Sequence, residues 1–83
     1  MPMVKVGDTF TIKGVTVEIR EVLPYTSFWN LKQLMVGYVI KDRGYISPTA
    51  HFWMNANDDI RPQIERIVDY YMQVKDSILR GTT

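Results

Sequence analysis

Seven apolar residues late in the chain, Ile60, Ile64, Ile67, Val68, Tyr71, Val74 and Ile78, recur at spacings of three and four. That is the period of an α-helix with one buried face. Gln63, Glu65, Arg66, Asp69, Gln73 and Asp76 fall mostly on the opposite face. The ends agree with the stripe. Asn57, Asp58 and Asp59 offer N-cap side chains and negative charge where the first helical N–H groups need them. Pro62 is tolerated only in a first turn, Asp76 and Arg80 form a well-oriented pair four residues apart, and Gly81 is a natural stop. The spacing predicts a helix over 59–80. About twenty residues make roughly 30 Å of helix, the length of a strand of eight or nine residues. One such helix covers one face of one sheet.

Upstream the period changes to two. Phe10 and Ile12 alternate with Thr9, Thr11 and Lys13, and Val15, Val17 and Ile19 alternate with Thr16, Glu18 and Arg20. This is the pattern of half-buried strands. A two-residue turn at Lys13-Gly14 pairs Ile12 with Val15 and Phe10 with Val17 on one face, and Thr11 with Thr16 on the other. The alternation fails at Glu21-Val22, which fits either a bulge or a strand end near Leu23-Pro24. Residues 24–30, Pro-Tyr-Thr-Ser-Phe-Trp-Asn, read as a loop rich in aromatic groups. The continuous apolar run from Leu34 to Ile40 reads as a central strand covered on both faces. Asp42-Arg43-Gly44 suits a three-residue hairpin loop with Gly44 left-handed. The chain then returns antiparallel from Tyr45. Pro48 puts that strand at an edge or breaks it, with pairing resuming over 50–54.

The expected fold class is therefore α+β: a four-stranded antiparallel meander, β-β-β-β-α, packed on one face by a C-terminal amphipathic helix. Its strands are expected near 8–13, 15–22, 33–41 and 45–54. The 83 residues suffice for one domain. With 46% hydrophobic and 23% charged residues, disorder is not expected. The absence of cysteine rules out disulfides, thiolate metal sites and cysteine nucleophiles, and fits a cytoplasmic location. No apolar run is long enough to span a bilayer, and residues 1–8 lack the apolar core of a signal peptide.

The net charge of +1 is divided as +2 over residues 1–56 and −1 over 57–83. Dedicated duplex binders carry a far larger basic excess. Nor does any segment carry catalytic spacing. His51 is the only histidine and has no second ligand nearby in sequence, so a structural or plain surface role is the simpler reading. Asp58 and Asp59 are explained by helix capping, because the spacing and closing Glu of a calcium loop are missing. Arg43-Gly44-Tyr45 matches only the opening of the aromatic motif of RNA-recognition domains. Ile46-Ser47-Pro48-Thr49 departs from the rest, and the match is treated as chance. One His, no Cys and no convergent carboxylate pair disfavour an enzyme, and no cofactor, metal or small-molecule substrate is expected.

The suggestive feature is aromatic residues interleaved with basic ones. Tyr25, Phe28 and Trp29 lie in the expected loop, Lys32 follows, and Lys41 and Arg43 flank a hairpin tip. Lys13 and Arg20 are expected to share the outer face of the first hairpin. Aromatic platforms beside cations stack single-stranded bases and neutralise phosphates. The leading expectation is a non-catalytic module binding single-stranded nucleic acid through Lys13, Arg20, Tyr25, Phe28, Trp29, Lys32, Lys41 and Arg43. The plainer alternative folds Phe28 and Trp29 back as a lid on the core. The competing function is protein interaction or homo-oligomerisation through the aromatic loop, a sheet edge or the helix flank, where Tyr70, Met72 and Leu79 widen the apolar arc.

Overall fold

The computed structural model describes residues 4–26 and 29–81, with side chains described as far as residue 76. It contains β1 (Thr9–Ile12), β2 (Val15–Thr26), β3 (Lys32–Asp42), β4 (Tyr45–Ile46), β5 (Ala50–Asn55) and α1 (Arg61–Gly81). The sheet is antiparallel in the order β1-β2-β3-β4, and β5 pairs with the same edge of β3 as β4 does. The α+β meander with one C-terminal helix is thus the observed fold. Asp59 Oδ1 accepts the Arg61 N–H at 3.0 Å and caps the helix start.

The first hairpin has the expected register, with Ile12 opposite Val15, Phe10 opposite Val17 and Thr11 opposite Thr16. Lys13 and Gly14 both take positive φ, 54° and 80°, as a type I′ turn requires. Arg43 and Gly44 do the same at 50° and 86°, with Asp42 opposite Tyr45. The second hairpin therefore turns in two residues, not the three read from sequence.

Three other expectations are corrected. The register shift between Ile19 and Glu21 makes Arg20 a bulge residue, and β2 runs on to Thr26. Residues 24–26 are strand, not loop. Second, the returning strand is split into β4 and β5 by residues 47–49, because Pro48 cannot donate to a ladder and the Ser47 side chain occupies the gap. Ser47 Oγ accepts the Ile40 N–H at 2.8 Å and donates to the Pro48 carbonyl at 3.0 Å. Third, β3 is covered on one face only. The buried cluster of Val15, Val17, Ile19, Val36, Ile40, Ile60, Ile64 and Val68 lies between the sheet and α1. No second layer covers the other face among the described residues. Val39, opposite Glu18 on that face, is nonetheless only 3% exposed.

The result is elongated. The Cα radius of gyration is 14.2 Å and the extents are 50 × 23 × 19 Å, whereas a compact chain of this length has a radius of about 12 Å. The length comes from pairing as far as Thr26 opposite Lys32, beyond the segment of sheet that α1 covers.

Candidate functional site

The bulge decides which side chains reach the uncovered face. Before Arg20, odd-numbered residues of β2 face the helix. After it, Val22 packs against the core and Glu21, Leu23 and Tyr25 turn outward. Rows across β2, β3 and β5 then follow from the register: Tyr25–Gln33–Asn55, Leu23–Met35–Trp53 and Glu21–Gly37–His51. Leu23, Tyr25 and Trp53 are each about half exposed, at 45%, 51% and 52%. Tyr25 meets Trp53 edge-to-face with ring centroids 5.3 Å apart. At the hairpin end Trp29 is 77% exposed and Leu31 54%. Trp29 is no lid on the core.

Beside this apolar zone lies an ionic one. His51 Nε2 and Glu21 Oε1 meet at 2.9 Å above Gly37. Further along, Glu18 holds Lys41 at 2.5 Å and Arg20 at 3.5 Å. The Lys41 hydrogen bond and the Arg20 charge hold the Glu18 carboxyl below its ordinary value, against a partial opposing effect of burial. Thr11 and Thr16 hydroxyls pair at 3.0 Å at the far end.

The residues expected from sequence are only partly brought together. Tyr25 joins the exposed aromatic zone, and Trp29 and Lys32 stand at its hairpin end. Arg20 and Lys41 lie on the sheet but are tied to Glu18. Lys13 does not share the outer face: it sits in the turn and pairs with Asp69 of α1 at 3.0 Å. Arg43 lies at the opposite end of β3, in the β3–β4 turn. Phe28 is outside the described residues, as is the Leu79 side chain. Tyr70 (69% exposed) and Met72 do not form one flank. Tyr70 borders an apolar groove of about 340 Å³ between α1 and the β4–β5 break, and Met72 lines a separate depression with Gln73 and Lys75. The sequence reading missed Leu23, Met35 and Trp53. The one signal for them was the broken alternation at Glu21-Val22, because a bulge there sends Leu23 outward.

One polar cluster is structural. Asp42, 8% exposed, accepts the Tyr71 hydroxyl at 2.9 Å and the Lys75 ammonium at 2.6 Å, and ties the end of β3 to α1. Tyr45 stacks on Tyr71 with an interplanar angle of 14°. The Lys75 hydrogen bond, then that of Tyr71, holds the Asp42 carboxyl below its ordinary range, while burial and the Asp42 charge push the Tyr71 hydroxyl up. The folded Asp42 binds its proton less tightly than the unfolded one. Its contribution to stability is therefore complete above the unfolded carboxylate value, about 4, and is lost as pH falls through the depressed folded value. Urea midpoints followed against pH should show this acid decline, and Asp42→Asn should lower the neutral-pH midpoint and flatten the decline.

No group of three or more His, Asp or Glu side chains able to hold a metal occurs among the described residues. No helix among them is long and apolar enough to cross a membrane. No family model, curated protein or solved structure matches the chain.

Proposed function

We propose that this chain is a non-catalytic protein-interaction module that associates with a second copy of itself through the surface centred on Trp53. The observation that carries this reading is the row Leu23–Met35–Trp53 with Tyr25, an apolar and aromatic zone on a sheet face that no element covers among the described residues. Aromatic and Met side chains are the enriched types at interface cores.

Single-stranded nucleic acid is the second reading, favoured by the exposed rings of Tyr25, Trp29 and Trp53 near Lys32. Electrostatics weigh against it. Glu18 and Glu21 sit on the same face, and Arg20 and Lys41 are already paired with Glu18. A phosphate backbone laid there meets two carboxylates. The variant Trp29→Phe leaves Trp53 as the sole indole. Single-stranded oligonucleotide at low salt should leave its emission unchanged, and raising the protein concentration should shift that emission to the blue. Quenching by oligonucleotide that salt reverses would move the function to nucleic acid.

A further inference from the structure

The β5 edge carries the mode of that association. Ala56 N–H donates to the Lys32 carbonyl at 3.0 Å, and Ser47 N–H to the Ile40 carbonyl at 2.9 Å. The even-numbered residues of β3 therefore bond toward the β4/β5 side. Antiparallel alternation then assigns Ala50, Phe52 and Met54 to the ladder with β3. The backbone groups of His51, Trp53 and Asn55 point the other way, out of the sheet. The Asn55 carbonyl accepts Asp58 N–H at 3.0 Å in the turn that follows, with one lone pair to spare. The backbone N–H and C=O of His51 and Trp53 and the N–H of Asn55 have no partner among the described residues.

Besides the short edges of four-residue β1 and two-residue β4, the described residues leave two longer free edges, β2 beyond the bulge and β5, and these are treated differently. On β2 beyond the bulge, Leu23 and Tyr25 bond toward β3, so Pro24 faces outward and removes a donor from that edge. Proline at an outward position guards an edge against pairing. Residues 50–55, Ala-His-Phe-Trp-Met-Asn, contain no proline, lysine or bulge.

The outward positions are also symmetric about Trp53. We infer that two copies pair antiparallel along β5, with a two-fold axis at Trp53. Trp53 then faces Trp53 of the second copy and exchanges two backbone hydrogen bonds with it. The Asn55 N–H reaches the His51 carbonyl of the second copy, and the His51 N–H reaches the spare lone pair of its Asn55. The side-chain pairs that result are Trp against Trp and His against Asn on the uncovered face, and Phe52 against Met54 on the helix face. No like charges are opposed. A closed two-fold pairing uses up the edge in each copy. The inference rests on the self-association reading; because edge pairing continues the sheet, it brings Trp53 against Trp53 and leaves Leu23 and Tyr25, two strands from the edge, on the open face.

The test combines light scattering with amide hydrogen exchange on the full chain. In concentrated solution the mass should be twice 9.7 kDa, with slow exchange at His51 and Trp53 that becomes fast on dilution while Phe52 and Met54 stay protected. Asn55→Pro removes an outward donor without touching the β3 ladder, and Trp53→Lys sets like charges together on the axis. Each should return the mass to 9.7 kDa with the fold retained by circular dichroism, and Trp53→Lys answers alone if the proline variant does not fold. A dimer in which the His51 and Trp53 amides exchange fast, or which survives Trp53→Lys, overturns the edge pairing and leaves self-association standing. A 9.7 kDa species at every concentration overturns both.

Discussion

Ile64→Ala should cost about 2–5 kcal/mol of folding stability, read as a lower urea midpoint. Ile64 is fully buried, at 0% exposure, at the centre of the α1 stripe that closes the core. Truncation removes buried methyl and methylene groups and leaves a cavity. The lining comes from α1 and the strands it approaches, β1 and β2, whose backbones are fixed by ladders and helix bonds, so collapse around the gap is limited. A domain of this size has a net stability of about 4–12 kcal/mol, and a large share of it goes with one side chain. Tyr70→Ala, on the exposed flank of the same helix, should change stability by no more than about 0.5 kcal/mol. Equal losses at the two positions would contradict the placement of α1.

Gly37→Ala should cost about 1–3 kcal/mol, the range for overpacking a fixed site. Gly37 lies in the centre of β3 between Glu21 and His51. A Cβ there would stand 2.9 Å from Glu21 Cβ and 3.1 Å from His51 Cδ2. The imidazole can swing aside at the expense of its contact with Glu21. The Glu21 Cβ cannot, because it is set by the β2 backbone just after the bulge. Relief therefore needs β2 to shift against β3. The rescue follows from the geometry. In Gly37→Ala with Glu21→Gly the opposing Cβ is gone, so the double variant should be more stable than the summed single losses predict. Strict additivity would show that the strands accommodate the methyl group without strain.

The parts of the fold that were legible in the sequence are those set by local period. Ile60 to Ile78 and Phe10 to Ile19 each state their own geometry: the first hairpin has the register read from sequence, and the helix forms over Arg61–Gly81, starting two residues later than read and including Gly81 where a stop was expected. The middle depended on Arg20. A single bulged residue inverts the parity of everything after it, so Leu23 and Tyr25 reached the open face and Val22 the core. Sequence admitted the bulge but could not choose it over a strand end, because the choice is made by pairing with residues 32–37. Long-range pairing also decided the fate of the cations. Lys13 with Asp69, Lys41 with Glu18 and Lys75 with Asp42 are neighbours only once the sheet and helix are assembled. Of the basic residues read from sequence, Lys13 is paired with Asp69, and Arg20 and Lys41 share the one carboxylate of Glu18. The edge of β5 was still less visible, since which backbone groups point outward follows from the hydrogen-bonding phase of the ladder and not from residue type.

The surface around Trp53 is the proposed interface between copies of this chain. The most direct measurement is the emission of Trp53, isolated by Trp29→Phe, across a dilution series at low and at high salt. Trp53 is 52% exposed in the single chain. Red-shifted emission is expected in dilute solution and a shift to the blue as concentration rises, nearly the same at both salt concentrations because the contacts are apolar and backbone-mediated. An emission maximum that stays in the red over the whole series would contradict it.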